Sequence, residues 1–236
     1  PRNLTNRLMN KKAVFPGQYI QGQGAINELP LLINLLGSKG LLLCSKTVKD
    51  KIIPKFVSKD ISENIHTEIF NGECCEDELA RITSVISERK TDVIIGMGGG
   101  KVIDTAKICA DRANIPVVIV PTIASTDAPC SGCAVTYTPA GVFEAVHYQK
   151  RNPSAVLVDM NIIANAPVRF LVAGMGDALA TWFEARSCEK TQSLNECGGL
   201  TTLTGVHIAK LCYETLLEYG VAAKIANEKN LIIPAL

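Results

Sequence analysis

Gly96-Met97-Gly98-Gly99-Gly100-Lys101 is the densest chemical signal in the chain. It follows an apolar run that reads as a strand and leads into a segment that reads as a helix. Glycines at such a junction let the backbone approach a phosphate closely. The free N–H groups and positive end of the helix then bind the anion. Two familiar patterns fail here. G-x-G-x-x-G needs glycine where Lys101 stands, and the P-loop needs glycine at Ile95 and Ser or Thr at Val102. The loop therefore indicates a phosphate-containing ligand without naming it. A ligand-free turn is the weaker reading, because the carboxyl ends of parallel strands are where α/β sheets bind ligands.

The next strand ends in Pro121-Thr122-Ile123-Ala124-Ser125-Thr126-Asp127-Ala128-Pro129. Its hydroxyls could bond a pyrophosphate or nicotinamide, and Asp127 could orient a hydroxylated substrate. An ordinary turn-rich loop would have the same composition, so both readings stand. Cys130-Ser131-Gly132-Cys133 has the spacing of a redox pair or half a zinc site. No second such pair completes a tetrahedral set, and it leads into strand rather than helix, which argues against both roles. Gly174-Met175-Gly176-Asp177 is expected to open a helix bearing Trp182. Asp177 there would either cap free N–H groups or ligate a metal from a cleft. His66, His147 and His207 lack a second histidine at ligand spacing and read as structural or surface residues.

These residues need elements to position them. Leu41–Cys44, His66–Phe70, Val93–Ile95, Val117–Val120 and Ala155–Val158 read as buried parallel strands. Thr47–Val57, Glu76–Glu88 and Lys101–Ala113 read as the helices between them, which implies right-handed crossovers. Two polar–apolar stretches around Thr138-Pro139-Ala140-Gly141 read as a hairpin between Cys133 and His147. All prolines but Pro234 lie at or before Pro167. Beyond it, Ala178, Leu179, Trp182 and Phe183 mark one helix face, and Leu200 to Leu217 a longer helix after Gly198-Gly199. The expected fold is α/β: a Rossmann-like parallel-sheet nucleotide-binding domain over 1–167, then an all-helical domain beginning at 168–236.

The chain has 236 residues, 47% hydrophobic and 20% charged, so a packed core is expected rather than disorder. Its formal net charge of +1 argues against a nucleic-acid partner. No apolar run approaches the ~18 residues of a membrane helix, so no membrane partner is expected. Nine cysteines without a scaffold-like spacing suit a reducing, intracellular setting. The basic start, with Arg2, Arg7, Lys11 and Lys12 and no acid before Glu28, leaves mitochondrial and cytoplasmic locations both open.

In order and spacing the chain resembles the glycerol dehydrogenase branch of the iron-type alcohol dehydrogenase family. The likeness rests on Pro16 to Gly22, Gly96 to Lys107, Pro121 to Cys130 and Gly176 to Arg186, and continues to Pro234-Ala235-Leu236. It implies NAD-dependent oxidation of glycerol to dihydroxyacetone, with hydride transfer assisted by a divalent metal, zinc by preference. By motif match, Gly98, Gly99, Gly100 and Lys101 would hold the pyrophosphate, with Asp104 behind. Thr122, Ser125, Ser131, Cys133 and Tyr137 would line the cofactor site, Cys133 largely through backbone. Asp127 would bind the polyol and carry the catalytic role, and Asp177 would be a metal ligand. A homo-oligomer is expected.

Two departures matter. Ser45, beside Lys46, stands where the group commonly carries an acid at the cofactor ribose, so weaker discrimination against NADP is expected. The family's two metal-binding histidines are expected beyond residue 236, so this stretch alone should bind NADH without turning over glycerol. The rival readings are a non-catalytic nucleotide-binding module and a glycerol-phosphate or sugar-phosphate enzyme of the same fold. The latter should place Lys or Arg near Asp127, and the stretch 121–133 holds none.

Overall fold

Strands made of unbroken aliphatic residues cannot leave either face in water, so helices must cover both sides of the sheet they form. The computed structural model of the protein describes residues 10–57 and 65–232. Its strands are β1 (Tyr19–Gly22), β2 (Gly40–Cys44), β3 (Ile65–Ile69), β4 (Val93–Gly98), β5 (Val117–Pro121), β6 (Cys133–Tyr137), β7 (Phe143–Tyr148) and β8 (Ala155–Asp159). Six of them form one all-parallel sheet in the order β1-β8-β5-β4-β2-β3. β6 and β7 form the separate antiparallel hairpin the sequence predicts.

The helices are α1 (Leu29–Leu36), α2 (Ile53–Phe56), α3 (Glu76–Arg89), α4 (Gly100–Ala113), α5 (Met160–Ala164), α6 (Val168–Thr191) and α7 (Leu203–Glu228). Strand side chains alternate between two apolar layers. Leu42, Val93, Ile95, Val118 and Leu157 pack towards α1. Leu41, Leu43, Ile94, Ile119 and Val156 pack towards α3 and α4. This three-layer arrangement is the α/β fold expected, followed by the helical pair α6 and α7.

Two local expectations fail for physical reasons, and one strand escapes the sequence reading. β1 is an edge strand with alternating exposed and part-buried residues, so its four residues carry no aliphatic run to read. The stretch Thr47–Val57 is one π-helical turn, Val48–Ile52, running into the short α2. Pro54 at the start of α2 has no N–H to give the turn before it, so the chain widens there. The last helix begins at Leu203 rather than near Leu200, because the Thr202 hydroxyl accepts the Gly205 N–H at 3.1 Å and fixes the start.

Two polar side chains tie the layers together. Asn227, 6% exposed near the end of α7, donates to the carbonyls of Ile163, Ala164 and Ala166 and so docks α7 on the end of α5. Asp92, just before β4, accepts the N–H and hydroxyl of Ser38 and the N–H of Lys39 at 2.7–2.9 Å, anchoring the turn into β2.

Asp92 makes a pH-dependent contribution. Burial pushes its carboxyl up, but the hydrogen bonds from Lys39 and Ser38 outweigh it and hold the pKa below the ordinary value. A depressed carboxylate contributes stability above the unfolded-state pKa of about 3.9, and loses it as pH falls through the folded value. Asp92→Asn is therefore expected to destabilise the fold by about 1–2 kcal/mol at neutral pH. Urea melts at pH 7 and pH 3 check it: the gap should narrow in acid, and an equal gap at both would remove the carboxylate from this role.

Candidate functional site

β2 is paired with β3 on one side and β4 on the other, and the chain crosses over it between the two. A crevice opens at the carboxyl ends of strands where the order reverses in this way. The register Cys44↔Met97 and Gly98↔Pro121 brings Ser45, Gly98 and Thr122 to that edge together. Thr122 also donates its N–H to the Gly98 carbonyl at 3.0 Å.

α4 starts directly at Gly100, with Gly99 as N-cap and no side chain capping its first N–H groups. Those free N–H groups are where an anion could be held at this edge. A Cβ on Gly99 would come within 2.8 Å of Ile123 Cδ1, so this glycine also serves packing against the next loop. A Cβ on Gly100 would meet only Thr126 Cγ2, at an ordinary 3.6 Å. Gly99 thus lets the loop 122–126 seat over the turn.

The remaining cofactor candidates are near this edge with some of their polar groups already engaged. Ser45 Oγ accepts the Val48 N–H at 3.3 Å, and Lys46 pairs with Asp50 at 2.7 Å. The Lys46 charge invoked for NADP is therefore answered by a neighbouring carboxylate. Lys101 reaches Glu73 and the Tyr137 ring. Ser125 and Thr126 follow Thr122 on the loop. Ser131 and Cys133 lie beyond them, where their carbonyls accept hydrogen bonds from a buried lysine.

That lysine, Lys107, is the residue sequence reasoning overlooked. Its side chain is 1% exposed on the inner face of α4. Its ammonium donates to the carbonyl of Ala128 at 2.9 Å, to Ser131 O and Oγ at 3.3 and 3.2 Å, and to the carbonyl of Cys133. Asp104 Oδ1 lies 3.4 Å away as an ion pair without hydrogen-bond alignment, while Oδ2 accepts the Val135 N–H at 3.2 Å. Burial pushes the Asp104 carboxyl up from its ordinary range against the pull of Lys107. Asp104 thus stands behind the loop, facing Lys107 and β6. The available signal was a lysine in the buried stripe of Ile103, Ala106 and Ala110.

Asp127 and Asp177 come together from segments 50 residues apart: the Asp127 N–H donates to Asp177 Oδ2 at 2.9 Å. Asp177 does not open its helix. α6 begins nine residues earlier at Val168, after Pro167, so Asp177 lies in the helix interior and cannot cap it. The apolar run from Val168 extends the helix backwards, and Gly174 and Gly176 do not break it. Gly174 has a packing reason to be there. A Cβ on it would lie 2.2 Å from the Ala124 carbonyl oxygen, so α6 rests directly on the loop and presents Asp177 one turn later. Partial burial, then the charge of Asp177, push the Asp127 carboxyl up, against Lys107.

Asp127 borders an open groove of about 1150 Å³ between the loop 130–133, Tyr148 of β7, Phe15 and the stretch 194–198. The Tyr148 hydroxyl donates to Glu196 across it at 2.6 Å. The N-terminal segment closes one wall: Lys12 N–H bonds Leu200 O at 3.0 Å, and Asn195 Nδ2 bonds Lys12 O at 2.8 Å. His66 pairs with Glu68, His147 with Thr136, and His207 with the Leu203 carbonyl, away from the two aspartates. Among the described residues no group of three or more His, Cys, Asp or Glu is placed to hold a metal ion, and no helix is long and apolar enough to cross a membrane.

The model of the family described as iron-containing alcohol dehydrogenase matches residues 16–160. A glycerol dehydrogenase of Thermotoga maritima is 49% identical over 224 residues, covering 94% of this chain and 61% of that protein. One of Escherichia coli O6:H1 is 41% identical over 228 residues, with the same two coverages. The crystal structure of a probable glycerol dehydrogenase from Sinorhizobium meliloti 1021 superposes with a TM-score of 0.89 at 44% identity, covering 95% of this chain and 62% of that one. The chain thus spans about three fifths of the length of the relatives it matches.

Two expectations follow from the geometry. Lys107→Met should destabilise the protein by about 3–5 kcal/mol, because it strands Asp104 and three carbonyls, and adding Asp104→Asn should recover part of that. Guanidinium melts are the check, and an unchanged midpoint would free the loop from the lysine. Gly174→Ala should destabilise by about 1–3 kcal/mol by forcing α6 off the loop. Gly176→Ala, with nothing within 4 Å of the added Cβ, should instead stabilise by up to about 1 kcal/mol. Equal melting temperatures for the two variants would show that the close approach at Gly174 is not needed.

Proposed function

The chain belongs to the iron-containing alcohol dehydrogenase family, and from that premise we propose that it forms the NAD site and the polyol-orienting site of a glycerol dehydrogenase. The reaction is oxidation of glycerol to dihydroxyacetone with hydride transfer to NAD. The observation that carries this reading is the 2.9 Å hydrogen bond joining Asp127 to Asp177 beside the sheet edge that ends in the glycine turn. It sets a pair of acids, suited to accept bonds from hydroxyls, next to an uncapped helix N-terminus suited to a pyrophosphate.

The fit to NAD rests on α4. Its first-turn N–H groups at Gly100 and Lys101 would take the pyrophosphate, with Gly99 allowing the approach. Thr122, Ser125, Ser131, Cys133 and Tyr137 are proposed along the rest of the cofactor, Ser45 and Asp104 at its margins. Asp127 would accept the substrate's hydroxyl protons in hydrogen bonds and fix which carbon faces the nicotinamide. The environment that pushes its carboxyl up also makes it the stronger acceptor. The hydride would pass from the carbinol carbon to the nicotinamide ring, and the hydroxyl proton would pass to water in the open groove.

A divalent metal does not fit the described residues as a complete set. A catalytic zinc needs about three protein ligands, and Asp177 with Asp127 beside it supplies oxygens from two at most. Asp177 is proposed as one ligand. The nine free cysteines suit a reducing compartment inside the cell, mitochondrial or cytoplasmic. Arg2 and Arg7, which a mitochondrial address would use, lie outside the described residues, as does the end of the likeness at 234–236. The exposed apolar residues of α7, among them Leu203, Leu211, Leu217 and Val221, suit the proposed homo-oligomer.

The 236 residues are expected to bind NADH, read by fluorescence, and to hold zinc below one equivalent. Turnover is read as glycerol-dependent NADH absorbance in a polypeptide of the relatives' length carrying this sequence. There Asp127→Asn should lower kcat/KM for glycerol by about ten- to a hundredfold, the worth of one hydrogen bond to a charged group, with NADH affinity and metal content unchanged. Loss of metal in that variant would move Asp127 into the coordination shell, and absence of glycerol oxidation would defeat the proposal.

A further inference from the structure

Lys101 follows the glycine turn, and its ammonium is held elsewhere. Nζ lies 2.5 Å from Glu73 Oε2 and 5.0 Å from the centre of the Tyr137 ring. The Glu73 side chain is 17% exposed and that of Lys101 47%. The other Glu73 oxygen accepts the Cys74 N–H at 3.0 Å, and the Cys74 carbonyl accepts the Tyr137 N–H at 2.9 Å. The carboxylate is thus fixed by the loop between β3 and α3, which is itself pinned to β6.

The pair matters because of where the lysine starts. A free ammonium on the first turn of α4 would add a full charge to the partial positive charge of the helix end. An anion there would then be held by both. A cation already seated on a carboxylate and an aromatic face has less of its field free for a third group, by a modest amount at this exposure.

We propose that Glu73 is a positioning residue for the cofactor: it draws Lys101 onto Tyr137, so that the dinucleotide pyrophosphate is held by the N–H groups of α4 and not by the lysine. The proposal rests on the NAD reading above. Its consequence is a moderated affinity, which suits a cofactor that must leave after each turnover.

NADH titration by fluorescence on the 236-residue protein tests it with wild type, Glu73→Gln, Lys101→Met and the double variant. Glutamine keeps the size of the side chain and an oxygen for the Cys74 N–H. Glu73→Gln should tighten NADH binding about three- to tenfold at low ionic strength, with the gain fading in high salt as a freed charge requires. Lys101→Met alone should change affinity less than about twofold, and the double variant should return close to wild type. Unchanged affinity in Glu73→Gln at a wild-type melting temperature overturns the proposal. So does a tenfold loss in Lys101→Met, which would mean that the lysine grips the phosphate despite Glu73. If Glu73→Gln melts early, the Lys101→Met arm decides alone. Wild-type protein without NADH affinity would bring down the dinucleotide reading itself, and this proposal with it.

Discussion

The arrangement at the sheet edge depends on one buried ammonium. Taking a lysine charge out of water is costly unless oxygens replace the lost hydration. Lys107 finds them in a single short stretch of chain: the carbonyls of Ala128, Ser131 and Cys133 and the Ser131 hydroxyl, with Asp104 as counter-charge. Because α4 is packed rigidly on the sheet, the ammonium has a fixed position, and the stretch that answers it has little freedom left. The segment after β5 looks like an ordinary loop in composition, yet three of its carbonyls and a hydroxyl are tied to one ammonium.

Once that loop is fixed, it becomes a surface on which a second element can register. α6 meets it at Gly174, where the missing side chain lets the helix backbone reach the Ala124 carbonyl. One helical turn later the Asp177 carboxylate takes the Asp127 N–H. The pairing of two acids is unfavourable in itself: burial first, and then the charge of Asp177, push the Asp127 carboxyl up. It persists because packing at Gly174 and the loop geometry set by Lys107 are both decided elsewhere. Stored repulsion of this kind is what a hydroxyl-rich or cationic ligand would relieve.

How much of this was legible in the sequence follows from the kind of interaction involved. The aliphatic runs of β2, β4, β5 and β8 announce themselves, because double burial leaves no room for polar residues. The glycine turn is legible for the same reason in reverse, since few other residues fit there. β1 is invisible because an edge strand need not be apolar. The position of Asp177 misleads, because glycines usually end helices and here they permit a contact. Lys107 and Glu73 are hidden differently. A lone lysine or glutamate carries no period or spacing, and its role exists only when the partner 26 or 28 residues away is in place.

Charge pairing also bears on which substrate the edge can accept. Lys46 is answered by Asp50, Lys101 by Glu73 and Lys107 by Asp104. On the groove wall Lys150 turns to Asp111 and Arg151 to Asn114, while Lys12 belongs to the N-terminal segment. Lys107 does bring a cation to the loop 121–133, as a phosphate-binding relative would require. It is 1% exposed, however, and aimed at carbonyls, so a ligand cannot reach it. Lys12, Lys150 and Arg151 line the groove beside Asp127, and Asp177 meets Asp127 from α6. A neutral polyol presents donors to those acids and brings no charge of its own. The N-terminus of α4 offers uncapped backbone N–H groups whose partial charge suits an anion such as a pyrophosphate. The edge thus separates charge: a weakly positive helix start and, beside it, two carboxylates whose oxygens suit hydroxyl donors.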